Sequence, residues 1–319
     1  MVVEREVTDV ILCGGDALID FVPVDMETGD TAFVPKVGGA VLNVATALSR
    51  LNEDVAFIGA ASEDLFGDMI IAHMEGENID YSRVARTSDD STLAFVTLSG
   101  GDARYAFYDQ TSAGRMWGGT DERPMVDALH IGSVTLVFDP SASAYEAFAR
   151  GMSEQTVVSF DPNCRPGLVK DRDSYKDRMR CLADFSHIVR YSDEDFDYLF
   201  PGESIDDVAA ELLSGATKLL LNSRGADGAT AYTKAGKASV NTPPVEVRDT
   251  IGAGDTFHAA TLSWLSHAGK LDQQSLAEIG IDEALEMLEF ATEAAALCCM
   301  MDGCNPPTRN RVVAEVLDS

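Results

Sequence analysis

Short apolar runs alternate with longer stretches of helical spacing over most of the chain. Val10-Ile-Leu-Cys13, Val55-Ala-Phe-Ile58, Ala128-Leu-His-Ile131, Thr156-Val-Val-Ser-Phe160, His187-Ile-Val-Arg190 and Lys218-Leu-Leu-Leu221 are mostly apolar and largely bounded by Gly, Asp or Asn. Between them, apolar residues recur at helical spacing, as at Leu42, Ala45 and Leu48 or at Val208 and Leu212. Strands apolar on both faces and separated by helices belong in a parallel sheet covered on both sides. The pattern therefore predicts an α/β fold: a three-layer, Rossmann-like core with a mostly parallel sheet. Two regions break the alternation. Residues 16–35 alternate (Ala17, Ile19, Phe21, then Thr31 to Val34) around a Gly29-Asp30 turn, and residues 91–108 read as a hairpin turning at Ser99-Gly-Gly-Asp102. Period-two alternation suits an antiparallel sheet with one wet face, and a small sheet projecting from such a core is the expected form of a lid. No repeat or linker interrupts the pattern, so one domain over 1–319 is predicted, its lid drawn from about 16–35 and 91–108.

Composition narrows what this fold can do. Of the 319 residues, 45% are hydrophobic, and 53 Asp+Glu against 24 Lys+Arg leave a net charge of −29. A chain this acidic repels polyanions, which argues against nucleic acid and anionic membrane surfaces as partners. No apolar run approaches the ~20 residues of a spanning helix. The first nine residues show neither a basic nor an apolar leader segment, so a cytoplasmic protein is expected. Cys13, Cys164, Cys181, Cys298, Cys299 and Cys304 form no CxxC pair, which reads as small buried hydrophobes. The five histidines show no ligand spacing, so a protein-built zinc site is not expected. Acidic clusters such as Asp193-Glu194-Asp195, with only seven lysines, read as solvated faces or as adaptation to a saline cytoplasm.

The chemistry concentrates at Asp249-Thr-Ile-Gly-Ala-Gly-Asp255, just before an apolar helical stretch (Phe257, Ala260, Leu262, Leu265). Gly252 and Gly254 let backbone approach a ligand closely, and the following helix would aim unpaired N–H groups at the loop, making an anion site. A carboxylate in the same turn would repel that anion, unless Asp255 faces a hydroxyl that must lose its proton beside it. That is the logic of phosphoryl transfer to an alcohol. The plain alternative is a Gly-rich turn with Asp255 as a helix cap. GxGxxG, GxxxxGK[ST] and GxSxG are absent from the expected places, which sets aside a dehydrogenase, a Walker-type NTPase and the common hydrolase elbow.

The Asp249–Asp255 stretch resembles the C-terminal signature of the ribokinase-like (PfkB) carbohydrate kinases, and Gly38-Gly39-Ala40-Val-Leu-Asn43 is similar to their N-terminal one. Gly15-Asp-Ala-Leu-Ile-Asp20-Phe-Val-Pro23, Phe66-Gly67, Asp161-Pro-Asn163-Cys-Arg165, Gly225-Ala-Asp-Gly228 and Gly303-Cys-Asn-Pro-Pro307 follow in family order, across nearly the whole chain. The resemblance implies Asp255 as catalytic base, with Gly252, Ala253 and Gly254 as anion hole. Asp20, Gly38, Gly39, Asn43, Asn163 and Arg165 would serve the sugar, and Phe95 and Phe107 would be the lid's apolar walls. Asp195, Ser223, Arg224, Gly225 and Gly228 would serve ATP and its Mg²⁺, and Asp249 and Ile251 a K⁺ ion beside the anion hole. Within the family the sequence is nearest the fructokinases, with 2-keto-3-deoxygluconate kinases next. The implied activity is transfer of the γ-phosphoryl group of ATP to a primary hydroxyl of a neutral sugar, with a homodimer formed through the lid. A sugar- or nucleotide-binding regulator that has lost turnover is the non-enzyme alternative. Departures include Asp195 where the family carries Glu, Arg224 in the nucleotide loop, Asp16 in place of Glu, and Asp109 where relatives carry Arg. Asp109 is expected to repel a keto-acid carboxylate.

Overall fold

The structure, a computed structural model, describes residues 10–99 and 102–318. The chain start and the tip Gly100-Gly101 of the expected hairpin therefore lie outside the described residues. Nine strands form the main sheet: β1 (Val10–Gly14), β4 (Asp54–Ser62), β5 (Asp80–Thr87), β8 (Ala128–Gly132), β9 (Val157–Asp161), β10 (Ile188–Ser192), β11 (Leu219–Ser223), β12 (Ala229–Thr233) and β13 (Gly236–Val240). The other four are β2 (Leu18–Asp25), β3 (Thr31–Gly38), β6 (Leu93–Ser99) and β7 (Asp102–Tyr108). In space the main sheet runs β13-β12-β11-β10-β9-β8-β1-β4-β5, parallel except for an antiparallel edge made by β12 and β13.

Each central strand is apolar on both faces because both are covered. Ile11 and Cys13 of β1 point into one core, which includes Leu42, Leu48, Phe257, Leu262 and Met287 from helices Ala40–Arg50, Ala253–His267 and Ile281–Cys299. Leu12 points the other way, into a core built with Tyr145, Phe148, Met179, Leu182 and Val208 from the helices of the opposite layer. That division is the three-layer arrangement predicted from the run lengths. No described helix is long and apolar enough to cross a membrane.

The two regions that broke the alternation pair into one four-stranded sheet, β3-β2-β6-β7, in which β2 lies antiparallel to β3 and parallel to β6. Register decides what each face carries. Asp20 aligns with Ala94, and Ala94 with Phe107, so Asp20 and Phe107 share the face toward the main sheet's carboxyl edge. Phe21 aligns with Phe95 on the opposite face, where their rings stack at 4.6 Å and meet Phe66, Phe33 and Tyr108 edge-on. Phe95 is therefore not a wall of the cleft; it holds the back of the lid together.

Candidate active site

The parallel strands all end at one edge, where loops converge on a cleft of about 820 Å³. Asp16 and Asp20 follow β1, Ser133 follows β8, Asn163 and Arg165 follow β9, and Asp195 follows β10. Gly252, Gly254 and Asp255 open the helix Ala253–His267, and Phe107 closes the cleft from the lid.

Asp255 sits at the bottom, only 7% exposed. Asn43 Nδ2 donates to its Oδ2 at 2.8 Å and Asn163 Nδ2 to its Oδ1 at 3.1 Å, so the carboxylate is aimed from both sides. Asn43, expected among the sugar ligands, thus orients the carboxylate first. Burial pushes Asp255 up to about 7 and Asp161 adds to the rise, against the Asn43 hydrogen bond, Arg165 and Arg190. A buried carboxylate poised near neutrality, with both oxygens fixed by amides, can take a proton from an alcohol. Asp20 is raised to about 6 by burial and by Asp16 beside it, with Arg165 opposing.

The anion hole departs from its expected form in one respect. Gly252 takes the left-handed conformation (φ +77°) that turns the chain into the helix. The Ala253 N–H turns back to the Thr250 carbonyl at 3.2 Å, which leaves the N–H groups of Gly254 and Asp255 as the first-turn donors without a backbone partner among the described residues. Gly254 needs no positive φ; it needs space. A Cβ there would lie 2.8 Å from Arg190 Nη2 and 3.2 Å from Cζ. Gly254→Val should therefore displace this guanidinium and lower kcat about 10²-fold, since ~1 Å of misplacement costs that much. Steady-state kinetics on the folded variant, verified by its melting curve, check this.

Sequence reasoning missed Arg190. It is 5% exposed, and its Nη1 donates to Asp161 Oδ2 at 2.6 Å while Nη2 donates to Ser223 Oγ at 2.7 Å. It lines the cleft under Gly254, with its hydrogen bond to Ser223 on the side away from Asp161. Together with Arg165 it counters the carboxylates of Asp16, Asp20, Glu194, Asp195 and Asp255 in the same cleft. The signal was an arginine closing an apolar strand run, which demands a buried anion.

Other expected residues have structural duties. Asp16 caps the helix Ala40–Arg50 from 24 residues upstream, accepting from Ala40 N at 2.9 Å and Val41 N at 3.2 Å, because Gly39 at the N-cap has no side chain to offer. Gly38 leaves the space that the Asp20 carboxylate fills. Asp195 accepts from Cys164 N through Oδ1 and from both Ser192 N and Ser192 Oγ through Oδ2. Its oxygens are thus engaged by protein donors, so the residue would serve a nucleotide-bound cation only through an ordered water. Ser223 faces Arg190. Arg224 is drawn away to Thr230 and Asp227, Gly225 opens to solvent, and Gly228 packs on the Val240 carbonyl. Asp249 ties two loops, accepting from Ile251 N and Gly303 N. No cluster of three or more His, Cys, Asp or Glu suited to a metal occurs among the described residues, so a monovalent ion beside Asp249 and Ile251 would rest on carbonyl oxygens. Asp109 pairs with Arg115 at 3.4 Å and lines a separate small pocket, so its charge is compensated and turned from the main cleft. The repulsion expected of it does not operate there.

The chain is 41% identical over 272 residues to a fructokinase of Rhizobium leguminosarum bv. trifolii, covering 84% of this chain and 83% of that protein. It superposes on the fructokinase of Xylella fastidiosa with bound ATP at a TM-score of 0.88 and 26% identity, over 98% and 99% of the two chains. A double mutant of the fructokinase of Vibrio cholerae O395, with fructose, ADP and potassium bound, shares the fold at a TM-score of 0.82 and 24% identity, over 97% and 98%. The model of the pfkB family carbohydrate kinases matches residues 9–311. With that match lying over the two signatures that build the cleft, the chain belongs to the pfkB family of carbohydrate kinases.

Proposed function

We propose that the protein is an ATP-dependent fructokinase that acts in the cytoplasm and phosphorylates D-fructose at a primary hydroxyl. The observation that carries this reading is Asp255, buried, held by Asn43 and Asn163, and set in the first turn of a helix whose free N–H groups face the same cleft. In the mechanism, Asp20 accepts hydrogen bonds from sugar hydroxyls and Phe107 excludes water above the sugar. Asp255 takes the proton of the attacking hydroxyl. The N–H groups of Gly254 and Asp255, with Arg190 beneath, stabilise negative charge gathering on the transferred group. A divalent ion such as Mg²⁺ on the ATP phosphates would neutralise part of their charge when bound. A K⁺ ion beside the anion hole would rest on the Asp249 and Ile251 carbonyls. Exposed Val24, Met26, Phe33 and Val34 on the lid support pairing of two copies there.

Both carboxylates must be ionised, which gives the pH dependence its sign. Turnover should rise with pH to a half-maximum at about 7 as Asp255 ionises, and the fall on the acid side should steepen below about 6, where Asp20 also takes a proton. A kcat/KM profile for the sugar tests this, and a profile flat through neutrality removes Asp255 as the base.

Substrate choice rests on charge in the cleft. A keto-acid carboxylate would meet Asp16, Asp20, Glu194 and Asp195 with only Arg165 and Arg190 to offset them, and both arginines are already engaged with protein oxygens. One like-charge contact at ~4 Å costs about 4 kcal/mol at an effective dielectric of ~20. Side-by-side kcat/KM values for fructose, ribose, 2-keto-3-deoxygluconate and adenosine should favour fructose at least ~10-fold. A preference for the keto-acid overturns the assignment. ADP release that no sugar stimulates would favour the non-catalytic binder.

A further inference from the structure

Two thiols meet directly behind the anion hole. Cys298, in the last turn of the helix Ile281–Cys299, is fully buried, with its Sγ 3.9 Å from the Ile251 carbonyl oxygen. Cys304, six residues on and half-buried, packs its Sγ so tightly on Gly252 that no Cβ fits between them. The two thiols thus lie against consecutive residues of the same turn, Cys298 on Ile251 and Cys304 on Gly252. Their surroundings are anchored. Asp249 joins Gly303 to Ile251 through its two carboxylate oxygens. Arg50, paired with Glu77, grips the other side of Cys304 by donating to Asn305 Oδ1 at 2.6 Å and to the Pro306 carbonyl at 3.1 Å.

We propose that Cys298 and Cys304 are a reversible oxidation site, whose disulfide displaces Gly252 and shuts down phosphoryl transfer. The oxidant class is a hydroperoxide. One of the two sulfurs attacks a peroxide oxygen as its thiolate; the O–O bond breaks, an alcohol or water leaves, and a sulfenic acid remains on that sulfur. The other Sγ then displaces water from it and the S–S bond forms. The two thiols give up two electrons and two protons, and the peroxide takes both. A disulfide of ~2.05 Å lies about 1.5 Å inside van der Waals contact of two sulfurs, so forming it must move them by at least that much. Arg50 holds the loop from behind, so the movement is taken up by Cys304 and the Gly252 backbone resting on it. A shift of that size at the mouth of the catalytic helix should cost about 10²-fold in turnover.

The test treats the full-length protein with hydrogen peroxide. Cleavage before Asp302 separates Cys298 from Cys304, so a cross-linked pair stays joined until reduced. The expected result is a Cys298–Cys304 cross-link that accumulates as turnover falls, with both reversed by dithiothreitol. Cys304→Ser and Cys298→Ser should each resist inactivation, and Cys181→Ser should not. Inactivation without that cross-link, a cross-link to Cys299 instead, or a Cys304→Ser variant that loses activity at the wild-type rate would overturn the proposal. The cross-link is read on wild-type protein without a turnover assay, so it stands whether or not the serine variants fold and whichever sugar is the substrate.

Discussion

Asp255→Asn should lower kcat by about 10²–10⁴-fold while leaving ATP and fructose binding near wild type, the range expected for loss of a general base. The amide keeps the shape and accepts one of the two hydrogen bonds that Asn43 and Asn163 now donate, and a flip of either neighbour satisfies the other. The same change should act on stability with a defined sign. The folded protein holds the Asp255 proton more tightly than the unfolded chain, at about 7 against 3.8, because burial disfavours the charge. Wild-type stability from this group is therefore complete below 3.8 and is lost as pH climbs through 7. The Asn variant does not titrate there. Its stability relative to wild type should grow across that window by on the order of 4 kcal/mol, from ~1.36 kcal/mol per pKa unit. Urea unfolding of both proteins at acidic and mildly alkaline pH, beside single-turnover kinetics, checks the two effects together. A variant with kcat within a few-fold of wild type would falsify the assignment.

Arg190→Met should be the most destabilising of the cleft substitutions, by about 3–5 kcal/mol, because it leaves Asp161 buried without its cation. Methionine fills much of the volume, so the loss is mainly electrostatic. Where unfolding prevents kinetics, Arg190→Lys keeps the charge but cannot reach Asp161 and Ser223 at once from a planar fork. The lysine variant should fold, with kcat reduced more than sugar KM, since the guanidinium lies under Gly254 and not beside Asp20. Urea midpoints and a kcat-against-KM comparison test this. A methionine variant with wild-type midpoint and turnover would remove Arg190 from the site.

Much of the architecture was legible because burial on both faces leaves an unambiguous mark. Val55-Ala-Phe-Ile58 and Lys218-Leu-Leu-Leu221 could be read as central strands from apolarity alone, since Val55 and Phe57 face one core while Ala56 and Ile58 face the other. The loop from Asp249 to Asp255 was legible through its resemblance to a family signature, since its spacing alone also allowed a Gly-rich turn with Asp255 as a helix cap. Lid faces were not legible. Phe95 and Phe107 are both odd-numbered, but the pairing joins odd to even positions, Phe95 to Ala106 and Phe107 to Ala94, so the two rings face opposite sides. One residue of register moves a side chain to the other face, and only the turn fixes it. Long-range duties were equally hidden. Asn163 and Asn43 reach Asp255 across 92 and 212 residues; the motifs around them pointed to one site but not to the hydrogen bonds that join them.

The helix that carries Asn43 begins on a glycine and borrows its cap from Asp16, at the root of the lid. Segment exchange between relatives is constrained by that loan. A graft that transplants residues 38–50 without 15–20 would put a foreign helix start against a native carboxylate cut for another backbone. The Asn43 amide would then enter the cleft at an altered angle. Chimeras meant to retune sugar choice should cut outside both segments and move them as a pair. The unit of inheritance at this site is two stretches of chain joined by a pair of hydrogen bonds, not one contiguous motif.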